Sequence, residues 1–248
     1  MSRPILLITI NNLKDISCVN ADAFALGYEK YTFFAPHNFS YEEIKSINTE
    51  KTIFVILNAL LHENDIDGFK KEVDRLKGLG VGFIVQDLGA LSILIDSNIE
   101  LVKIIYNPYT LICNKNDFKA YQKSFGVSLG LSTQLKVEEI EKIIEEPNAL
   151  VEIYGYEPIY QTYRKVLSLY EEARDIKLNR KDLAVREDTR EEKYPIVENQ
   201  YGSVIFNYKK VNLIKDKEKL KNARYWYIDG SGSSLEEINE VVEALNDE

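Results

Sequence analysis

Asn58, Gln86, Asp87, Asn107, Thr133, Gln134, Tyr154 and Asp229 are polar residues that each stand at or just beyond the end of a short apolar run. A carboxylate held at the partly enclosed edge of a sheet can give or take a proton. Asp87 is the first candidate for such work and His62, just past Asn58, is the second. Each has a structural alternative. Aspartate is a favoured N-cap, so Asp87 can cap a helix starting near Gly89, and His62 can order the turn ahead of the next helix. Arg164 sits among Tyr160, Tyr163 and Val166. Arginine between aromatics can hold a carboxylate or phosphate or stack on a base; its stem can also pack on a rim with the charge in solvent. After the last apolar run, Asp229 is followed by Gly230, Ser231, Gly232, Ser233 and Ser234. Backbone of that kind at a helix N-terminus can cradle an anion, or serve only as a flexible cap.

Familiar catalytic spacings are absent. The two histidines, His37 and His62, form no His-x-x-x-His pair and have no cysteine nearby, so no zinc motif is available. No Gly-x-Ser-x-Gly elbow and no Gly-x-x-x-x-Gly-Lys-Ser/Thr loop occurs. Cys18 and Cys113 are far apart and make neither a disulfide framework nor a Cys-x-x-Cys site.

The elements that must position these residues alternate. Strand-like runs cover Pro4–Ile10, Asp22–Leu26, Thr52–Leu57, Val81–Val85, Val102–Tyr106, Val127–Leu131, Leu150–Tyr154 and Arg224–Ile228. Between Thr52–Leu57 and Val81–Val85, residues Ile66, Phe69, Val73, Leu76 and Leu79 recur at helical spacing. Asn64 or Asp65 can cap that helix, and Gly78 and Gly80 can end it. Ser40 with Glu43, and Ser234 with Glu237, read as capping boxes, and Asn114 or Asn116 as another cap. A strand, a crossover helix and a second buried strand imply parallel pairing with right-handed connections. Eight such strands over 248 residues predict a (β/α)8 TIM-like barrel, with a doubly wound open sheet as the alternative. The segment 154–168 is expected to leave its strand at Gly155 and become an amphipathic helix carrying Arg164. Residues 171–193 carry fifteen charged side chains of twenty-three, which predicts a solvated connector. YPIVENQYGSVIFNY then reads as a β-hairpin turning at Asn199–Gly202. Residues 1–248 are thus expected to form one barrel domain, with 171–215 inserted on its rim between strands seven and eight.

A hydrophobic content of 45% suffices for a large core, and a net charge of −9 argues against a broadly basic nucleic-acid platform while leaving room for a local patch. No apolar run reaches the length of a membrane span. The N-terminal ILLITI reads as a first strand rather than a signal peptide. Few cysteines and no leader suggest a cytoplasmic protein.

Three stretches together resemble the U32 peptidase family, the collagenase-like proteases. They are NALLHENDIDGF with GVGFIVQDLGAL; EIYGYEPIYQTYRKVLS; and YPIVENQYGSVIFNYKKVNLI running on to YIDGSGSSLEEINEVV. ADAFALG and NFSYEEI are similar to the family's early strand and helix. The resemblance spans nearly the whole chain and implies a TIM barrel. It also implies an iron–sulfur cluster in many members, but here the cysteine positions hold Pro158 and Lys165, and the family's histidine position holds Tyr154. Gly155 and Arg164 match; Gln134 and Asp229 stand where the family has glutamates, and Ser231 where it has arginine. A four-cysteine cluster is therefore not expected, nor any other metal. Several members resemble oxygen-independent hydroxylation factors acting on tRNA uridine, ribosomal RNA or ubiquinone precursors, some as paired subunits. The resemblance then implies a subunit supporting RNA (tRNA uridine) hydroxylation, with possible RNA contact through a complex with a related barrel that carries the cysteines. Asn58, Gln86, Gln134, Tyr154, Arg164 and Asp229 are the expected substrate-contacting positions. The alternatives are a collagenase-like peptidase using Asp87 or His62, and a barrel binding a small anion at Gly230–Ser234.

Overall fold

In the computed structural model, residues 3–180 and 183–247 are described. The strands are β1 (Ile5–Thr9), β2 (Ala23–Tyr28), β3 (Asn38–Phe39), β4 (Thr52–Leu57), β5 (Gly82–Val85), β6 (Ile104–Tyr106), β7 (Ser128–Gly130), β8 (Ala149–Thr162), β9 (Ala184–Val185), β10 (Tyr194–Asn199), β11 (Gly202–Asn212) and β12 (Tyr225–Ile228). The helices are α1 (Asp15–Cys18), α2 (Tyr41–Lys45), α3 (Ile66–Lys77), α4 (Leu88–Asp96), α5 (Lys115–Phe125), α6 (Val137–Ile143), α7 (Val166–Arg174) and α8 (Leu235–Asn246).

Strands β1, β2, β4, β5, β6, β7, β8 and β12 pair in parallel in that order, and β12 returns to β1. The sheet is therefore a closed eight-stranded (β/α)8 barrel of the TIM type, and the open-sheet alternative falls away. Closure leaves each barrel strand with two neighbours, which is why nearly every one is an uninterrupted apolar run. Leu7, Ala23, Ala25, Phe54, Ile56, Ile84, Ile105, Leu150, Tyr225 and Tyr227, all strand residues, fill the interior. The alternate strand residues face outward and meet the helices; Phe69, Val73 and Leu76 of α3 are fully buried there, each contributing roughly 1.5–3 kcal/mol of hydrophobic stabilisation.

The expected caps form with two differences, the first on α3, where Asp65 at the N-cap makes no side-chain cap bond and its carboxylate accepts from the His62 amide at 2.9 Å instead. Ser40 and Glu43 make a reciprocal capping box on α2, and the Asn114 side chain accepts from Asn116 and Asp117 at the start of α5. Ser234 accepts from the Glu237 amide, but the Glu237 carboxylate turns instead to Lys210 and Tyr154.

The segment after the seventh barrel strand departs from expectation. Rather than turning helical at Pro158, β8 runs on to Thr162, and α7 starts only at Val166. The reason is a partner distant in sequence: β11 pairs antiparallel with β8 from Tyr154 to Thr162, with register shifts around Phe206 that accommodate Pro158. The amphipathic spacing is overridden by a strand supplied forty residues later. The hairpin of β10 and β11 turns at Asn199 and Gly202 as expected, and the charged stretch contributes β9, paired to β10. Lys181 and Asp182 lie outside the described residues. Among the described residues, no helix is long and apolar enough to cross a membrane.

Candidate functional site

Two residues beyond the last apolar interior position, the barrel wall turns polar. Thr9, Asn58, Gln86, Asn107, Glu152 and Asp229 continue the inward-facing register of their strands, and all six are buried. This layer lies at the C-terminal end of the strands, where barrels of this kind do their chemistry.

Asp229 is tied down by three donors: the Thr9 hydroxyl at 3.0 Å, the Ser231 amide at 3.1 Å and the Ser231 hydroxyl at 2.9 Å. Thr9 Oγ1 in turn accepts from the Gly230 amide at 2.6 Å. Burial raises the Asp229 pKa, and these bonds and nearby Lys210 oppose the rise. Glu152, one strand away, is different. Its Oε1 is buried without a hydrogen-bond partner among the described residues. Burial first, then the charges of Asp229 and Glu157, hold its pKa well above 4.5. The two acids are thus set apart by environment, the one held by donors and the other pushed toward its protonated form by burial and like charge. Both crowd Gly155, whose φ of +148° and approach to Asp229 Cβ leave no room for a side chain. Glu157, also buried, accepts from Thr133 at 3.0 Å and Asn207 at 3.1 Å.

Aromatic residues roof this layer. Phe34, Ala35, Tyr109, Tyr156 and Tyr227 enclose Glu152 and Asp229 around a space of about 10 Å³, room for one water. Asn58 fastens the roof: its Oδ1 accepts from the Phe33 amide at 2.8 Å, its Nδ2 donates to the Phe34 carbonyl at 2.9 Å, and Tyr109 Oη lies 3.5 Å from Nδ2. Asn199, at the hairpin turn, donates to the Phe33 carbonyl at 2.8 Å. Tyr31 and Tyr109, which bound this roof, have φ of 61° and 59°, a conformation that costs a non-glycine residue about 1–3 kcal/mol and persists where surroundings impose it.

The residues singled out by sequence separate into groups. Asn58 and Asp229 stand in the polar layer, as does Gln86, which donates to Gln161 of β8 at 2.8 Å. Asn107 is buried against Gly130, whose Cα it covers. Asp87 is the N-cap of α4, accepting from the Ala90 amide at 2.9 Å. His62 lies outside the mouth with its ring 4.3 Å from that of Tyr163. Gln134 is exposed in the loop after β7. Tyr154 points away from the interior and meets Glu237 and Lys210. Arg164 is not on a helix; it follows β8 with its side chain exposed. The loop amides of Gly230 and Ser231 are bound to the protein's own Thr9 and Asp229, and Lys210 bonds Ser233 and Glu237 at the start of α8. The Ser233 amide bonds the Gly230 carbonyl at 3.1 Å, so these three loop amides are engaged within the chain.

Glu152 and Tyr109 were invisible to sequence reasoning. The one available signal for Glu152 was parity: it lies two residues past Leu150 in an otherwise apolar strand.

Among the described residues, no cluster of histidine, cysteine and acidic side chains has metal-binding geometry. Cys18, at the end of α1, and Cys113, before α5, are both exposed.

A family model for peptidase family U32 matches residues 9–247. The tRNA hydroxylation protein P2 of Bacillus subtilis (strain 168) is 24% identical over 239 residues, covering 90% of this chain and 77% of that protein. The solved structure of the U32 peptidase Mk0906 superposes with a TM-score of 0.58 at 11% identity, covering 92% of this chain and 93% of the other. N-(5'-phosphoribosyl)anthranilate isomerase from Pyrococcus furiosus gives 0.52, also at 11% identity and covering 98% of both chains. At that identity the likeness is one of fold.

Proposed function

Because this chain belongs to peptidase family U32, we propose that it serves tRNA uridine hydroxylation as a subunit without an iron–sulfur cluster, beside a related barrel that carries the cysteines. The observation that carries this reading is what occupies the cysteine positions implied by the family resemblance. Pro158 is built into β8 opposite Phe206, and Lys165 is the residue before α7. A four-thiolate cluster does not fit the residues present, since Cys18 and Cys113 lie on separate exposed segments. The likeness to a tRNA hydroxylation protein over 90% of the chain supports the choice of reaction. The small space of about 10 Å³ beside Glu152 and Asp229, under the aromatic roof, supports a supporting role.

Anaerobic purification followed by iron analysis and visible spectroscopy tests the first half. An iron-free, colourless chain is expected; stoichiometric iron with a charge-transfer band would end the cluster-less reading. Mass spectrometry of tRNA nucleosides from a deletion strain tests the second. Loss of hydroxylated uridine is expected, and unchanged tRNA would remove the proposal. The peptidase alternative finds no constellation here: among the described residues, neither histidine ring pairs with a serine, threonine or cysteine side chain, and Asp87 is engaged as a helix cap.

A further inference from the structure

Outside the mouth, an open cleft of about 390 Å³ lies between the β4–α3 loop, the end of β8 and the hairpin turn. It is large enough for a nucleoside. Tyr31, Tyr201, His62 and Tyr163 supply its rings, and Asp65 and Gln200 supply polar groups. His62 and Tyr163, both exposed, lie 4.3 Å apart between centroids and form a platform at its lip. Immediately beyond Tyr163 come Arg164 and Lys165. Both side chains are exposed, and neither has an ion-pair partner among the described residues. They follow the aromatic platform directly in sequence, on a chain whose net charge is −9.

We propose that this cleft takes an unpaired base of a single-stranded RNA segment, with the base against His62 and Tyr163 and the flanking phosphates on Arg164 and Lys165. Asp65 inside the cleft repels a phosphate and can accept from a base N–H; Lys30, which also lines it, is paired with Glu72 at 2.6 Å, so the unpaired cations next to the platform are Arg164 and Lys165, which follow Tyr163 in sequence. Aromatic stacking plus backbone neutralisation is the general mode of single-strand recognition. The inference rests on the RNA reading above and assigns it a binding site separate from the polar layer around Glu152 and Asp229.

The test is fluorescence anisotropy of a labelled oligouridylate of about ten nucleotides with the full chain at low salt. Three variants accompany the wild type: Tyr163→Ala, Arg164→Glu/Lys165→Glu, and a charge-matched control on α5 and α6, Lys123→Glu/Lys142→Glu. All replaced side chains are exposed, so thermal midpoints should stay unchanged and report intact folding. Each of the first two variants is expected to weaken binding about tenfold or more, as loss of a stacked base or of phosphate contacts does elsewhere, and the control about twofold at most. If the two cleft variants bind like the wild type, the site is overturned while the RNA reading stands. If the wild type does not bind the oligonucleotide, the site is likewise overturned, and tRNA from the deletion strain decides the broader reading by itself.

Discussion

Replacing Glu152 by glutamine should make the protein more stable at neutral and alkaline pH and leave it nearly unchanged in mild acid. The sign follows from linkage. Glu152 titrates near 4.5 when unfolded but well above that when buried beside Asp229 and Glu157. Between those two values the native chain holds a proton that the unfolded chain has lost, so stability is full below pH 4.5 and falls as pH rises toward the native pKa. Each pH unit in that window costs about 1.4 kcal/mol for one such group. For a domain of this size the cost is roughly 3–5 °C in thermal midpoint per pH unit. Glutamine keeps the shape and cannot ionise, and Glu152 Oε1 has no hydrogen-bond partner among the described residues to lose. Thermal melts of both proteins at pH 4.5, 6 and 7.5 measure the effect: the curves should meet at the acid end and separate with rising pH. Parallel curves, or a variant that is less stable throughout, would refute the picture of a proton-bearing Glu152 and point instead to an ionised, partnered one.

Asn58→Ala should lower stability by about 2–5 kcal/mol, because two well-formed bonds of 2.8 and 2.9 Å to a buried loop lose their partner; urea denaturation reads this directly, and hydrogen exchange should speed up at Phe33 and Phe34. Glu198 accepts from Leu167, Ser168, Ser203 and Arg180, and although burial pushes its pKa up, these bonds bring it down to about 2. Its contribution, up to about 3 kcal/mol, is present above the unfolded value of 4.5 and lost as pH falls toward 2, so Glu198→Gln should flatten the acid limb of a melting profile between those limits. Inorganic phosphate at about 10 mM should leave the thermal midpoint unchanged, since a ligand stabilises only by binding the folded state and the Gly230, Ser231 and Ser233 amides already bond within the chain.

Much of the barrel was legible because closed parallel strands are apolar on both faces and glycine or polar residues punctuate them. Thr52–Leu57 is read from sequence with its observed bounds, and Val81–Val85 within one residue. The same property hid the site's central acid. In a strand buried on both faces, an alternating pattern does not mark the inner face, so Glu152 looked like an isolated charge between Val151 and Ile153. Asn58, Gln86 and Asp229 were found because they follow their strands, where polarity changes abruptly. Residues 158–162 read as helical in sequence but are strand, because their conformation is dictated by β11, whose distance in sequence no local pattern encodes. The roof was unreadable for a related reason: Phe34, Tyr109 and Asn199 converge from three separate loops.

The fourteen-residue β8 is at once a stave of the barrel and the inner strand of the hairpin sheet. The insertion therefore cannot be excised as a cassette. A shortened chain joining Tyr163 to Leu213 would strip β8 of its partner from Tyr154 to Thr162 and bare an unpaired edge ending in Ile159 and Tyr160, the kind of strand that recruits other chains. It would also withdraw Asn199 from the roof over Glu152. For any effort to reduce this fold to a minimal scaffold, the hairpin is part of the wall, and the smallest soluble version must keep it or supply a substitute strand.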